Sequence, residues 1–382
     1  MIIHLFLTKE MDNKNFFINL FIINSNPFIS MEDNVLRHQI LLAKLKTLQN
    51  QFENEFKIQW NAFIKKCDKI MFQAKQLNIG NHTRPFLVFL GATTNCDFDN
   101  SSILRETAQL AVSIEAIHKA SVIIDDIIDG DSLRRGEKCM HTEFGEYETV
   151  FFAVCMLAQG IQHANHMLSC KGNDKLHMTT ISLLCNTIYD MCHGAIQEIS
   201  SDVQEQINLK HIQKIINSET IKLIENSLYI GFLYSETDTK ETGDLIRDIG
   251  KRCGYIFQVM NDLEAFCNPE YIMDYKGNIN SDFLRSRKNI ILPYLYQACN
   301  KADKKKLLEL LKNGEFSFVK TKKLFDEYMI KTEIFKDIND VYSSIFSILT
   351  VLRPIIYNQQ WIEAFESYLE YTKNKYQKLL NM

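Results

Sequence analysis

The chain has 382 residues, 46% of them hydrophobic, and a formal net charge of −4. That is enough apolar material for a large core, and the acidic balance argues against a nucleic-acid binder, which carries a basic excess. Ten cysteines include no C-x-x-C pair, so neither a disulfide framework nor a zinc site is expected and a reducing cytoplasm is the simpler setting.

Residues 1–30 are rich in Phe, Ile and Asn, with polar residues breaking the apolar runs. The longest run, FFINLFII, falls far short of the roughly 20 residues that span a bilayer. Neither a basic start nor a small-residue cleavage site marks a signal peptide. Met11 and Met31 are alternative starts, so 1–30 reads as a disordered extension or as untranslated. No other stretch reaches membrane-spanning length.

From about residue 32 onward the pattern is helical. Apolar residues recur at three- and four-residue spacing over 101–129, 148–169, 175–203, 208–235, 241–265, 281–300 and 335–352. Turn chemistry separates these runs at Gly80-Asn81, Asp99-Asn100, Gly136, 171–174, Asn268-Pro269 and Asn313-Gly314. Within the second run, Cys155 of VFFAVCMLA reads as a small hydrophobe. One all-α domain over 31–382 is expected, a multi-helix bundle of about ten to thirteen helices.

The densest chemistry is SVIIDDIIDGDSLRRGEKCMHTEFG, residues 121–145. On a helix Asp125 and Asp129 share a face one turn apart, with Asp126 about 100° around. Stacked carboxylates repel, and Mg²⁺ suits them because it takes oxygen ligands from one or two carboxylates plus phosphates and water. Arg134 and Arg135 follow where the helix should end, and guanidinium groups suit bidentate phosphate contacts. The cluster therefore reads as a diphosphate site. The plainer reading is a solvated helix end with a local salt-bridge network, but the apolar SVII before Asp125 would bury it.

Asp125-Asp126-Ile-Ile-Asp129, then Arg134-Arg135-Gly136 and His141, resembles the first aspartate-rich motif of the trans-isoprenyl diphosphate synthases. The likeness covers residues 80–300 well and the rest loosely. It implies an all-α bundle around a central cavity, usually a homodimer, with two or three Mg²⁺ ions. By the same resemblance Asp125 and Asp129 ligate metal with support from Asp126. Arg134 would meet an allylic prenyl diphosphate, and Arg135 and His118 the homoallylic isopentenyl diphosphate.

A second motif of this family, F-Q-x-x-D-D-x-x-D, reads Phe257-Gln258-Val-Met-Asn261-Asp262-Leu-Glu264-Ala265. Asn261 and Ala265 replace two of its aspartates; Asn261, Asp262 and Glu264 remain as oxygen donors. The loop G-G-K-R-x-R-P reads Ile79-Gly80-Asn81-His82-Thr83-Arg84-Pro85, keeping Arg84 and losing the lysine. The K-T pair reads Glu219-Thr220, and G-K-x-G-x-D reads 277–282 with Asn278 for the lysine. Lys276 lies close enough to substitute, and Arg287 and Lys288 fit the following basic position.

With diphosphate leaving an allylic carbon, the cation formed needs a dry apolar cavity. The resemblance places chain-length control at Ala120 and Ser121, with Ile117 beneath. Both are small, implying a product of about twenty carbons or more, one 5.4 Å turn deeper than a blocked pocket. The expected function is Mg²⁺-dependent condensation of an allylic prenyl diphosphate with isopentenyl diphosphate. Asn81, Glu219, Asn261 and Asn278 leave two alternatives: a terpene synthase or prenyl donor to a non-diphosphate acceptor, and a non-catalytic partner subunit.

Overall fold

The computed structural model describes residues 31–67, 75–78, 80–98, 100–235, 239–267, 289–313 and 318–380. The N-terminal segment 1–30 and Lys276, Arg287 and Lys288 lie outside the described residues. The described residues form fifteen α-helical segments, one hairpin of two two-residue strands, two short 3-10 helices and one π-helical turn. In order they are α1 (Met31–Cys67), α2 (Thr83–Ala92), α3 (Ser101–Asp129), β1 (Leu133–Arg134) and β2 (Glu137–Lys138). There follow α4 (Met140–Phe144), α5 (Glu146–Ser169), α6 (Asp174–Ser200), α7 (Val203–Gln206), α8 (Leu209–Ile216), α9 (Lys222–Tyr234) and α10 (Lys240–Cys267). The last five are α11 (Ile291–Ala298), α12 (Lys301–Lys312), α13 (Phe318–Glu327), α14 (Ile330–Leu352) and α15 (Gln359–Leu380). No helix among the described residues is long and apolar enough to cross a membrane.

Helix starts follow side-chain capping. Asn100, Asn173, Asn208 and Asn300 each accept a backbone N–H in the first turn of the helix they precede. Asp202 and Glu205 form a reciprocal capping box, which restarts the chain as α7 just after α6 ends at Ser200. The predicted helix over 208–235 is instead split by a π-helical turn at Asn217–Ile221. A single π turn inserts a residue and re-aims side chains, here those of Glu219 and Thr220.

α3 runs through the core, packed against α1, α2 and α5. On α1, Phe52, Phe56 and Trp60 repeat at four-residue spacing, all buried, and Phe52 stacks on Phe89 of α2 at 5.4 Å. The C-terminal helix seals the far end of α2: Trp361 Nε1 donates to the Leu90 carbonyl, and Asn358 Nδ2 to those of Thr93 and Cys96.

α2 and α9 cross backbone to backbone. A Cβ on Gly91 would lie 2.1 Å from the Leu228 carbonyl oxygen, and one on Gly231 2.0 Å from that of Val88. The crossing tethers the helix that carries Arg84 to the one that continues from the π turn.

Cys155 departs from its expected role as a core residue, being exposed. The run VFFAVCMLA is apolar on both faces of α5. Phe152, Ala153 and Met156 are buried, whereas Phe151, Val154 and Cys155 point outward. Apolar residues all round a helix signal a second covered face.

Because backbone atoms cannot yield as a side chain would, Gly231→Ala should destabilise the protein by at least about 2 kcal/mol. Urea denaturation would check this; a loss below about 0.5 kcal/mol, the size of an ordinary surface change, would refute the crossing as described.

Candidate active site

The aspartates sit in the last two turns of α3. The helix ends in a Schellman cap: Gly130, at φ 60°, donates its N–H to the Ile127 carbonyl, and Asp131 to that of Asp126. The cap reverses the chain into the hairpin. Leu133 pairs with Lys138 and Arg134 with Glu137, leaving a two-residue loop, Arg135-Gly136. Both loop residues have positive φ, 54° and 76°, as a type I′ turn requires. Left-handed backbone at a non-glycine costs about 1 kcal/mol, so Arg135 is held at the tip by the hairpin rather than by its own preference.

The hairpin sends its two arginines to different places. Arg134 Nε donates to Asp126 Oδ1. Asp126 is buried and also holds the thiol of Cys139. Burial raises its carboxyl pKa, with Arg134 and Cys139 opposing, and the same contact with burial pushes the Cys139 thiol up to about 12. Asp126 therefore orients Arg134, while Asp125 and Asp129 stand half-buried one turn apart.

Arg135 instead reaches the Gly80 turn. A methyl built on Gly80 would lie 3.6 Å from Lys119 Nζ and 3.8 Å from Arg135 Nη1, so two cations flank this backbone. Beside them runs a chain of contacts: Glu115 Oε2 to His118 Nδ1 at 3.2 Å, and His118 Nε2 to Arg84 Nη1 at 3.0 Å. Arg84 can only donate, so Nε2 accepts and the proton of neutral His118 sits on Nδ1, facing Glu115. Burial, then the Arg84 charge, lowers the His118 pKa to about 4 against the pull of Glu115. Burial would raise the Glu115 carboxyl, but His118, Lys119 and His82 hold it at about 2.

Arg84 also lies over the Phe257 ring of α10, 5.5 Å from its centroid, which joins the two motifs. On α10, Gln258 accepts from the Thr220 hydroxyl and donates to Asp262 Oδ1, 2.9 and 2.8 Å. Asp262 Oδ2 accepts from the Ile290 N–H at 2.8 Å, tying α10 to the start of α11. Asn261 is exposed and Glu264 half-buried. Ala120 and Ile117 are buried in α3, and the half-buried Ser121 donates its hydroxyl to the His118 carbonyl.

Among the described residues no three His, Cys, Asp or Glu side chains form a ready-made cage. The donors at the end of α3 still fit Mg²⁺, a hard ion that uses one or two carboxylates and completes its shell with phosphate and water. Asp125 and Asp129, half-buried one turn apart, are of the type and spacing such a pair needs.

A polyprenyl synthetase family profile matches residues 68–328, a span that contains both aspartate clusters and the Gly80 turn. The chain belongs to the polyprenyl synthetase family. It is 24% identical over 285 residues to a short chain isoprenyl diphosphate synthase of Methanocaldococcus jannaschii, covering 74% of this chain and 82% of that one. To the heptaprenyl diphosphate synthase component 2 of Bacillus subtilis it is 28% identical over 228 residues, 60% of each chain. The alignment thus spans most of the archaeal protein but only about three fifths of the bacterial one. The heptaprenyl diphosphate synthase structure from Staphylococcus aureus superposes with a TM-score of 0.72 at 22% identity, covering 86% of this chain and 98% of that one. A Caulobacter crescentus polyprenyl synthase complexed with calcium and isoprenyl diphosphate gives 0.68 at 17% identity, covering 85% and 97%. These likenesses establish the all-α isoprenoid synthase fold, and the chain is a prenyltransferase of the isoprenyl diphosphate synthase type.

Four residues of the site escaped the motif reading: Glu115, Lys119, His82 and Cys139. Lys119 and Glu115 had a signal, charged residues four apart inside the apolar stretch before Asp125. Cys139 had none, because only the hairpin brings it to Asp126.

The depressed His118 pKa sets a pH dependence. Its unfolded value is about 6.5, so between there and about 4 the unfolded chain takes up a proton that the folded protein refuses. The contribution is complete above pH 6.5 and is lost as pH falls towards 4. Glu115 acts lower, from its ordinary 4.5 down to about 2. Urea midpoints measured from pH 7 to 4 should fall less steeply for His118→Asn than for the wild type, and equal slopes would contradict this assignment.

Proposed function

We propose that this protein condenses an allylic prenyl diphosphate with isopentenyl diphosphate in a Mg²⁺-dependent reaction. What carries the reading is the divergence of the two hairpin arginines. Arg134 donates to Asp126 at the aspartate end of α3, while Arg135 reaches the Gly80 turn beside Lys119. One chemistry needs two separate anion positions: a prenyl diphosphate that ionises and a second diphosphate that stays intact. A cyclase acting on one diphosphate has no use for the second.

Asp125 and Asp129 would hold Mg²⁺, with Asn261, Asp262 and Glu264 as further oxygen donors, and the bound ion would supply charge neutralisation for the leaving diphosphate. Arg134, fixed by Asp126, presents its outer N–H groups to the same oxygens without having to reorganise. The apolar side of α3 shields the allylic cation from water. Small Ala120 and Ser121 support a product of about twenty carbons or more, since each added turn of depth is 5.4 Å.

The quaternary proposal is a homodimer through the outer faces of α5 and α6. Tyr147, Phe151, Val154, Met178, Tyr189 and Ile196 are exposed there, a larger run of apolar side chains than a monomer ordinarily leaves in water. A second copy fits because the same uncharged strip meets itself across a two-fold axis. Phe151→Glu should shift the protein from dimer to monomer in analytical ultracentrifugation. A wild type that stays monomeric and gains mass only with a second, different chain would favour a two-component enzyme instead.

The decisive assay supplies Mg²⁺ and allylic diphosphates of ten, fifteen and twenty carbons, each with and without isopentenyl diphosphate. Longer prenyl diphosphates should appear only with isopentenyl diphosphate, and Asp125→Ala should lower the rate by at least about 100-fold. Hydrocarbon or alcohol formed without it would replace this reading with a terpene synthase, and inactivity with every substrate would point to a partner subunit.

A further inference from the structure

Two cations flank the Gly80 turn, Lys119 from α3 and Arg135 from the hairpin tip, and the charges of Arg134 and of Arg84, in the first turn of α2, also act on Lys119. One buried carboxylate, Glu115, stands among them, and it is shared with His118. Its distance to Lys119 Nζ is 3.8 Å, beyond hydrogen-bond reach. Burial, and then the charges of Arg135, Arg134 and Arg84 against the pull of Glu115, lower the Lys119 pKa. Like charges gathered out of water are costly unless an anion joins them. Two further features face the same way. Arg84 Nε is buried without a hydrogen-bond partner among the described residues. α2 starts at His82 with no side-chain cap, so the positive end of a ten-residue helix opens onto the turn. Asn81, next to Gly80, is exposed and uncharged.

We propose that Lys119 supplies the positive charge that Asn81 does not, binding the diphosphate of isopentenyl diphosphate together with Arg84 and Arg135. The inference rests on the two-diphosphate reading above. A lysine on α3 approaches the Gly80 backbone from inside the bundle, whereas a lysine at 81 would approach from solvent. The charge is then fixed by packing rather than by an exposed loop, and its ammonium needs no ordering when the substrate arrives. His118 has a supporting part, holding Arg84 through Nε2.

Calorimetry on the full chain with isopentenyl diphosphate, and separately with an allylic diphosphate and Mg²⁺, tests this. Lys119→Gln should weaken isopentenyl diphosphate binding roughly 10- to 100-fold and change allylic binding less than about threefold. Lys119→Arg should stay within about fivefold of the wild type, and adding Asn81→Lys to Lys119→Gln should recover at least about tenfold. Equal weakening of both diphosphates, or no recovery, would overturn the proposal and leave Lys119 a neutraliser of Glu115. Should Lys119→Gln not fold, Asn81→Lys alone decides, because that position is exposed. A change under about threefold is expected where the charge is already supplied, and a gain of about tenfold or more would show that it was not. A wild type that ionises allylic diphosphate yet binds no isopentenyl diphosphate would sink the two-diphosphate reading itself, an outcome distinct from a failure of Lys119.

Discussion

Carboxylates at the carbonyl end of a helix are in the wrong place electrostatically, and α3 ends in three of them. Each sits where the helix dipole is negative, a penalty of about 0.3–1 kcal/mol, and Asp125 and Asp129 add a like-charge pair one turn apart. Burying Asp126 costs more still unless a cation meets it. The chain answers this with a tight local turn. A Schellman cap, a four-residue hairpin pairing and a type I′ tip return Arg134 to Asp126 within eight residues. Asp125 and Asp129 stand half-buried one turn apart, a carboxylate pair of the kind a divalent cation with a polyphosphate would neutralise.

That local device works only if α3 is held relative to α2 and α10. Close helix approach does this. Gly91 and Gly231 let α2 and α9 meet at backbone distance, and the π turn before α9 delivers Thr220 to Gln258. From Gln258 the hydrogen bonds run to Asp262 and on to Ile290. Arg84 closes the loop between motifs by lying over Phe257 while bonded to His118. A side chain added at the glycine crossing would therefore be felt at the arginine as well as in the core.

Much of this was legible beforehand. The apolar pattern over 101–129 matches the helix, and Asn100 marks its start because capping chemistry is local, whereas Gly130, which ends it, was not among the turn signals read from the sequence. The aspartate spacing and the paired arginines announced the site for the same reason. What could not be read was any feature that depends on where chains cross. The π turn interrupts an unbroken apolar pattern, and its cause is packing. The outward turn of Cys155 follows from which face of an all-apolar helix meets α3. Asp126, alike in the sequence to its neighbours, is the buried one of the three and is bonded to Arg134 of the hairpin.

The lost lysines show the same limit in the substrate pocket. Counted along the chain, Asn81, Glu219 and Asn278 remove three cations from three motifs and suggest a weakened enzyme. Counted in space, the neighbourhood of Gly80 is rich in positive charge, since Lys119 and Arg135 flank it, the Arg84 charge acts on Lys119, and burial sharpens each interaction. A phosphate responds to the field at its own position, not to the segment that supplies the charge. Glu219 lies in the π turn beside Gly194 on α6, a different part of the chain from the Gly80 turn. The divergence of these motifs is better described as a relocation of charge than as its loss.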